Sequence, residues 1–515
     1  MPTRRAYWPY LIALIALAAR LVPGPRSIDD AFITFRYARN LLAGVGLVYN
    51  PGERVFGTTT PLYTLLMAAL GGLTRSGNYP ELALLVNAFA DVLTCLILAR
   101  LGERLSGQRL VGLCASLLWA IAPMSVTFAI GGMETSVFIL LLVGTAELYL
   151  SGRTRWAALT AGLLLLTRPD GALFVGPLIL DLLWRRGREK KFPLVEASLC
   201  LTPLIPWVIF ATLYFGSPLT HSIAAKSLAY RVQPGGALLR LLQNYATPFF
   251  EQMAFPNFYA LVGFLIAYLG LSVIGALYML RHDARAWPIV LYPLLYFITF
   301  VIANPLIFRW YLAPPLPFYF LLILTGLHKV SSDLVSRIPN SRHASRFTLH
   351  PSSFFLLPFL FFLLLSLHAW VLHPDHGPDR PAPEMAWVKL ELLYAQVGRD
   401  LAARVTPPTV VAAGDVGALG YYSNARILDT VGLISPEASA YFPLDPALYA
   451  MDVYAVPPKL ITDRQPDYVV ELEIYGRKGL FVDPQFLAEY ELVEKITTDL
   501  YGSDGMLVWE RRAAP

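Results

Sequence analysis

Between Trp8 and Val371 the chain alternates long apolar runs with short polar loops. A helix needs about 20 residues to cross a bilayer core at ~1.5 Å per residue. By that measure crossings fall at 8–23, 81–100, 110–126, 135–150, 192–215, 258–280, 287–303, 311–328 and 353–372. The run "WAALTAGLLLLTRPDGALFVGPLILDLLW" (156–184) has basic loops on both sides, so it must cross an even number of times. It is short for two full spans and predicts a hairpin of two short helices turning at "TRPDG". "PLYTLLMAALGGL" (61–73) is too short to cross and predicts a juxtamembrane or half-inserted helix. The expected fold class is membrane α-helical, with about 11 transmembrane helices and interfacial helices in the first outer loop.

The pattern changes near residue 373. "HPDHGPDRPAPE" reads as a polar, Pro-rich linker, 373–383. Beyond it, in 384–515, β-like runs such as "TVVAAG", "YVVEL" and "GMLVWE" mix with helical stretches such as "MAWVKLELLYAQVGRDLAARV". That mixture predicts a C-terminal extracytoplasmic α/β domain. Residues 1–372 would form the polytopic domain, with 24–80 as its first outer loop. "GDVGALG" lacks the Gly-x-Gly turn of a dinucleotide fingerprint. No sequence repeat of the kind that marks inverted transporter halves is visible.

Composition agrees with this division. Of 515 residues, 56% are hydrophobic and 15% charged, with a mean hydropathy of +0.52; soluble chains carry about 25% charged residues. The net charge of +5 comes from basic residues in short loops, not from a basic face, which argues against a nucleic-acid partner. Cys95, Cys114 and Cys200 lie inside apolar runs, so no disulfide framework or thiolate metal site is expected. The N-terminus has the basic, apolar, small-residue order of a signal peptide. Because span after span follows, it reads as a retained first helix with Arg4 and Arg5 inside. Placing those two, Arg100/Arg104/Arg109, Arg153/Arg155, Arg185–Lys191, Arg281/Arg285 and Lys329–Arg346 in the cytoplasm satisfies the positive-inside rule. The acid pair Asp29–Asp30, the loops near 127–134, 216–257 and 304–310, and the C-terminus then lie outside, in a multi-pass plasma-membrane protein.

Asp29 and Asp30 open an amphipathic segment, "DDAFITFRYARN", in which Arg36, Arg39 and Asn40 share one sector of a helical wheel. Lying flat at the outer interface, such a helix would hold two acids and two cations at the height of a lipid-linked phosphate. The plainer reading is that the acids cap their own helix. Glu134 in "GGMETS" opens a span on the outer side; a helix-start carboxylate is its plain reading. Arg168 and Asp170 in "TRPDG" would otherwise be a paired turn, and their charges need a polar cavity or partner in either case. Lys226 in "GSPLTHSIAAK" is a snorkelling lysine or a phosphate contact. Arg309, Trp310 and Tyr311 precede a span and serve as interfacial anchors or as site residues. His368, His373 and His376 bridge a span end and the linker, a poor metal set.

The first loop, "DDAFITFRYARNLLAGVGLVYNPGERVFGTTTPLYTLL", resembles that of the GT-C membrane glycosyltransferases, in particular the group of mycobacterial-type arabinofuranosyltransferases. It is more distantly similar to protein O-mannosyltransferases and aminoarabinose transferases. In that group an Asp-Asp pair begins an interfacial helix and a Gly-Leu-Val-x-Asn-Pro-Gly-Glu-Arg-Val run follows. "FGTTTPLY" departs from the aromatic and Asn-Pro-Leu-Trp more usual there, which bears on acceptor choice. "GGMETSVF", "TRPDG" and "GDVGALGYYSNARILDTVGLI" also resemble the group. The resemblance implies transfer of a sugar from a polyprenyl-phosphate donor to a glycan, glycolipid or protein hydroxyl, in cell-wall or envelope biogenesis. It implies Asp29 as general base, Asp30 orienting it or binding a divalent cation (Mg2+ or Mn2+), and Glu134 as a third acid. Lys226, Arg309 and Arg168 would contact the donor phosphate, with Arg36, Arg39, Asp170 and Tyr311 lining the cavity. His221 replaces an Asn in the relatives' pattern around Lys226. The rival class, a transporter or lipid-linked-sugar flippase, would place its acids in mid-span.

Overall fold

The computed structural model describes residues 7–190, 192–250, 257–337, 351–372, 379–406 and 408–513. Arg4, Arg5, Lys191, Arg342, Arg346, His373, His376 and most of the expected linker lie outside the described residues. In chain order the helices begin α1 (Trp8–Leu21), α2 (Asp29–Leu42), α3 (Pro61–Thr74), α4 (Tyr79–Ser106), α5 (Arg109–Ile121) and α6 (Pro123–Ile130). They continue as α7 (Thr135–Leu150), α8 (Thr154–Thr167), α9 (Ala172–Arg188), α10 (Leu194–Phe215), α11 (His221–Ala229) and α12 (Gly236–Ala246). Then come α13 (Phe258–His282), α14 (Trp287–Ala303), α15 (Leu316–Ser336), α16 (Pro351–His368), α17 (Lys389–Ala402) and α18 (Gly417–Ser423). The chain divides into two units.

The first unit comprises Met1–Arg26, Ala83–Ile205 and Gly235–Trp387. Every segment read as a crossing is helical over most of its length, although 353–372 ends in a strand at Trp370–Val371, and 156–184 is the expected pair, α8 and α9, joined at Arg168–Gly171. Among the described residues five helices are long and apolar enough to cross a membrane, or six if α5 and α6, bent by 47°, form one span. The others, including α1, α7 and α16, are apolar but shorter. α15 is buried on nearly every side. It packs backbone to backbone on α13, because a Cβ on Gly275 would strike the Leu322 carbonyl and one on Gly326 the Leu271 carbonyl; small residues permit such approach between membrane helices. Arg20 and Asp91 form a fully buried ion pair at 2.9 Å. Trp119 Nε1 and the Ser136 hydroxyl also donate to Asp91. This network has its donors and acceptors matched, the condition under which buried charge is tolerated. A short ladder, β1 (Trp370–Val371) with β2 (Ala382–Pro383), closes the end of the unit.

The second unit comprises Ser27–Leu82, Pro206–Pro234 and Val388–Pro515. The first outer loop thus groups with the tail and not with the rest of 1–372. Strands β3 (Val410–Ala413), β4 (Arg426–Asp429), β5 (Tyr468–Leu472), β6 (Tyr490–Ile496) and β7 (Met506–Arg511) form one sheet in the order β4-β3-β5-β7-β6. β3 runs parallel to both β4 and β5; β7 pairs antiparallel with β5 and β6. β3 is a continuous apolar run, as a strand covered on both faces should be, whereas β4 and β5 also bury the acids Asp429 and Glu471. The chain adds β4 on one side of β3 and β5 on the other. The carboxyl ends of these strands therefore meet at a switch point, the place where open α/β sheets leave a crevice.

Candidate active site

In the second unit the site is built around α2. Gly24 and Pro25 follow α1, and Ile28 takes an extended conformation as the residue before α2. Asp29 and Asp30 occupy the first turn, where the helix dipole favours acids. Asp29, however, serves a different helix. Its Oδ2 accepts the Gly417 N–H at 2.8 Å and its Oδ1 the Ala418 N–H at 2.7 Å. These amides begin α18, just past the carboxyl end of β3. The glycines of "GDVGALG" explain this approach. A Cβ at Gly417 would collide with the Asp29 carbonyl oxygen, and one at Gly420 with the Tyr49 hydroxyl. Their spacing of three puts both on the face of α18 that lies against α2 and the loop following it.

The polar sector of α2 completes the joint. The buried Arg36 donates to the carbonyls of Tyr49 (3.0 Å), Gly420 (2.6 Å) and Ala425 (2.7 Å). Arg39 donates to the Tyr421 carbonyl at 2.9 Å and to Asn424 Oδ1 at 2.6 Å. The sequence reads these cations as lying at the height of a lipid phosphate; in the structure their guanidinium groups donate to the Tyr49 carbonyl of the first loop and to carbonyls and Asn424 Oδ1 of the tail. The "LVYNPGERV" run does likewise. Asn50 exchanges two hydrogen bonds with the Ile427 main chain, and Arg426 donates to Glu53 at 2.7 Å.

Asp30 is more open than Asp29 and accepts from Lys226 Nζ at 3.1 Å. Lys226 is brought there by α11. The Thr220 hydroxyl and the His221 N–H both donate to the Phe56 carbonyl, at 2.9 Å each, and Ser222 Oγ donates to the Gly57 carbonyl. Those contacts pin the start of α11 to the first loop, and Lys226 follows one turn later. In the same loop Thr34, Thr58, Thr60 and Thr64 form a buried hydroxyl chain at 3.3–3.4 Å, which is where "FGTTTP" departs from the relatives' pattern.

Further acids, which the sequence reading did not single out, gather near this point. Burial pushes Asp29 above the usual carboxylate range; the Ala418 and Gly417 amides act in the opposite sense, and Asp30 and Asp429 add repulsion. Asp415, two residues before Gly417, is raised by burial and then by Asp29 and Asp30, and its Oδ2 is buried without a hydrogen-bond partner among the described residues. Glu391 is pushed up to about 8 by burial, with Asp29 and Asp415 adding to it. Asp429 is pushed up to about 6 by burial although it accepts the amides of Val431, Gly432 and Ile434.

In the first unit Arg168 forks onto Asp170, with Nε to Oδ1 at 3.0 Å and Nη2 to Oδ2 at 2.8 Å, and its Nη1 reaches Glu134 Oε1 at 3.1 Å. All three residues are largely buried. The Tyr296 hydroxyl lies 3.3 Å from Asp170 Oδ2 and donates to the Tyr311 carbonyl at 2.8 Å, and the Tyr311 ring lies 5.3 Å from the guanidinium. Glu134, Arg168, Asp170 and Tyr311 therefore come together in one network. Arg309 instead donates to the Met385 carbonyl at 3.2 Å. Among the described residues no three His, Cys, Asp or Glu side chains are grouped to hold a metal ion, and the Asp30 carboxylate already has a cationic partner in Lys226.

Comparison with solved structures decides the fold. ArnT from Cupriavidus metallidurans bound to undecaprenyl phosphate overlays with a TM-score of 0.57 over 100% of this chain and 99% of that one, at 13% identity. Its apo form gives the same score over 98% of each chain. The chain has a GT-C fold. Residues 384–509 match a family model described as "Domain of unknown function (DUF8728)". The terminal β-(1→2)-arabinofuranosyltransferase of Mycobacterium tuberculosis is 34% identical over 157 residues, 29% of this chain. The match spans 23% of that protein's length.

Proposed function

We propose that this GT-C protein is a multi-pass membrane glycosyltransferase. It moves a monosaccharide from a polyprenyl-phosphate donor to a hydroxyl of a glycan, glycolipid or protein, with the acid pair and the tail on the extracytoplasmic side and about eleven helical segments in or at the bilayer. The observation that carries the reading is the acid pair itself: a carboxylate raised toward neutral pH beside a second, more open carboxylate paired with Lys226. In the reaction the acceptor oxygen bonds to the anomeric carbon as the bond from that carbon to the phosphate oxygen breaks. The acceptor proton passes to Asp29, and the polyprenyl phosphate leaves with the electron pair. A base near the working pH is worth roughly 10²–10⁴-fold, and Lys226 supplies positive charge to the departing phosphate. Glu134, Arg168 and Arg309 carry the roles that the family resemblance gives them. The sugar is a pentose or a hexose.

A second assignment within this function has its own observation. Both Asp29 oxygens already accept a main-chain N–H, while Asp30 is the more open acid. On that assignment Asp30 takes the proton and Asp29 holds the tail. The experiment is release of polyprenyl phosphate from a polyprenyl-phosphate sugar by the protein in liposomes, for wild type, Asp29→Asn and Asp30→Asn, well below the melting temperature of each. The base variant loses at least roughly a hundredfold in turnover and loses the acidic limb of the pH–rate profile. Wild-type turnover in both variants would end the catalytic reading. Movement of the intact lipid-linked sugar across the bilayer, without cleavage, would make the protein a flippase.

A further inference from the structure

A cavity of about 720 Å³ lies in the first unit at the start of α8, the end of α9 and the start of α10, and its lining includes none of the site residues assigned above. Its floor is stapled. The Thr154 hydroxyl donates to Glu196 Oε1 at 2.8 Å and Arg186 Nη2 to the same oxygen at 3.2 Å, tying together the start of α8, the end of α9 and the start of α10. Its rim is different. Arg153 and Arg155 are exposed, and neither side chain has an ion pair or hydrogen bond among the described residues. α8 starts at this rim with no side-chain cap and no acid in its first turn, so its leading amides add positive potential. The same cavity is lined by Trp156 (62% exposed) and Phe192 (67% exposed), aromatics of the kind that mark a membrane–water interface.

We infer that this cavity binds the phosphate of an anionic phospholipid headgroup, with the acyl chains lying against Trp156 and Phe192. Two uncompensated guanidiniums select the charge, and the exposed aromatic rim selects an amphiphile over a soluble anion. Basic pockets among membrane helices bind such headgroups through the same chemistry. On the loop-charge topology the leaflet is the cytoplasmic one.

The test is native mass spectrometry of the full-length protein in neutral detergent, titrated with phosphatidylglycerol, with phosphatidylcholine, and with phosphatidylglycerol plus millimolar inorganic phosphate. The variants are Arg153→Gln/Arg155→Gln and, as a control, Arg281→Gln, an exposed arginine at the end of α13. The wild type and the control bind phosphatidylglycerol in preference to phosphatidylcholine, inorganic phosphate does not displace it, and the double variant binds it about thirtyfold more weakly. Melting temperatures of the double variant and the wild type coincide, since both arginines are exposed. Equal retention of the two lipids by the wild type, unchanged binding by the double variant, or displacement of the lipid by inorganic phosphate would each overturn the inference.

Discussion

Replacing Gly417 by Ala probes the joint between α2 and the tail through one methyl group. The new Cβ would overlap the Asp29 carbonyl oxygen and stand 2.7 Å from Asp29 Oδ2. The first obstacle is main chain, so no rotamer change relieves it. α18 and α2 must separate, and Asp29 loses both of its amide donors. A hydrogen bond to a charged group contributes roughly 1.5–3 kcal/mol, so two cost roughly 3–6 kcal/mol, while Ala in place of Gly in a helix returns about 1 kcal/mol. The net destabilisation is roughly 2–5 kcal/mol. For a unit of about two hundred residues each kcal/mol lowers the midpoint by roughly 2–4 °C, giving a fall of roughly 4–20 °C. Thermal unfolding of the detergent-solubilised protein, read beside sugar transfer at low temperature, measures it. Gly77→Ala is the control: it lies in the same unit, with nothing within 4 Å of the new Cβ, and should change stability by no more than about 0.5 kcal/mol. If Gly417→Ala melts with the wild type, the contact between Asp29 and α18 does not support the unit.

Two further outcomes are expected. Glu391 has a folded-state pKa of about 8, above the ordinary 4.5, so the native protein holds this proton more tightly than the unfolded chain. Stability from that proton is present at acid pH and declines as pH rises between those two values. Glu391→Gln should therefore match wild type near pH 5 and exceed it by up to a few kcal/mol near pH 8, in melting curves recorded across that range; a constant difference would refute the assignment. Lys226→Ala removes the cation paired with Asp30, and should weaken polyprenyl-phosphate binding with little change in melting temperature, since a single partly exposed pair contributes about 0–1 kcal/mol; unchanged lipid affinity would return Lys226 to an anchoring role.

The helices of the first unit were legible because apolar runs are local signals. The α8–α9 hairpin followed from counting charged loops, and α2 and α3 from length and amphipathicity. What the sequence concealed were pairings across long separations. Arg36 and Arg39 look the same in sequence whether they face a phosphate or fill with carbonyl oxygens, and only the tail decides. In "GDVGALG" the glycines make no dinucleotide turn; Gly417 and Gly420, three apart on α18, let that helix approach Asp29, Arg36 and Tyr49, whereas Gly414 precedes the helix and lies against Tyr454 and Thr430. Arg20 and Asp91 went unremarked because each sits within a run whose mean hydropathy hides one charge, and their mutual distance is not readable along the chain. Asp415 and Glu391 carry no local mark either; their raised proton affinity arises from burial beside Asp29.

The bond between Asp29 and Gly417 joins residues 388 positions apart, and that separation is also an interval of time. A chain growing at about 5–20 residues per second needs roughly 20–80 s to make the second partner after the first. Throughout that interval the acid pair has been synthesised, yet its carboxylate lacks the amides that fix it. A nascent or truncated chain thus carries its key acids in an unfinished setting. Synthesis through Gly417 and Ala418 acts as a clock that withholds the finished setting of Asp29 until both amides exist.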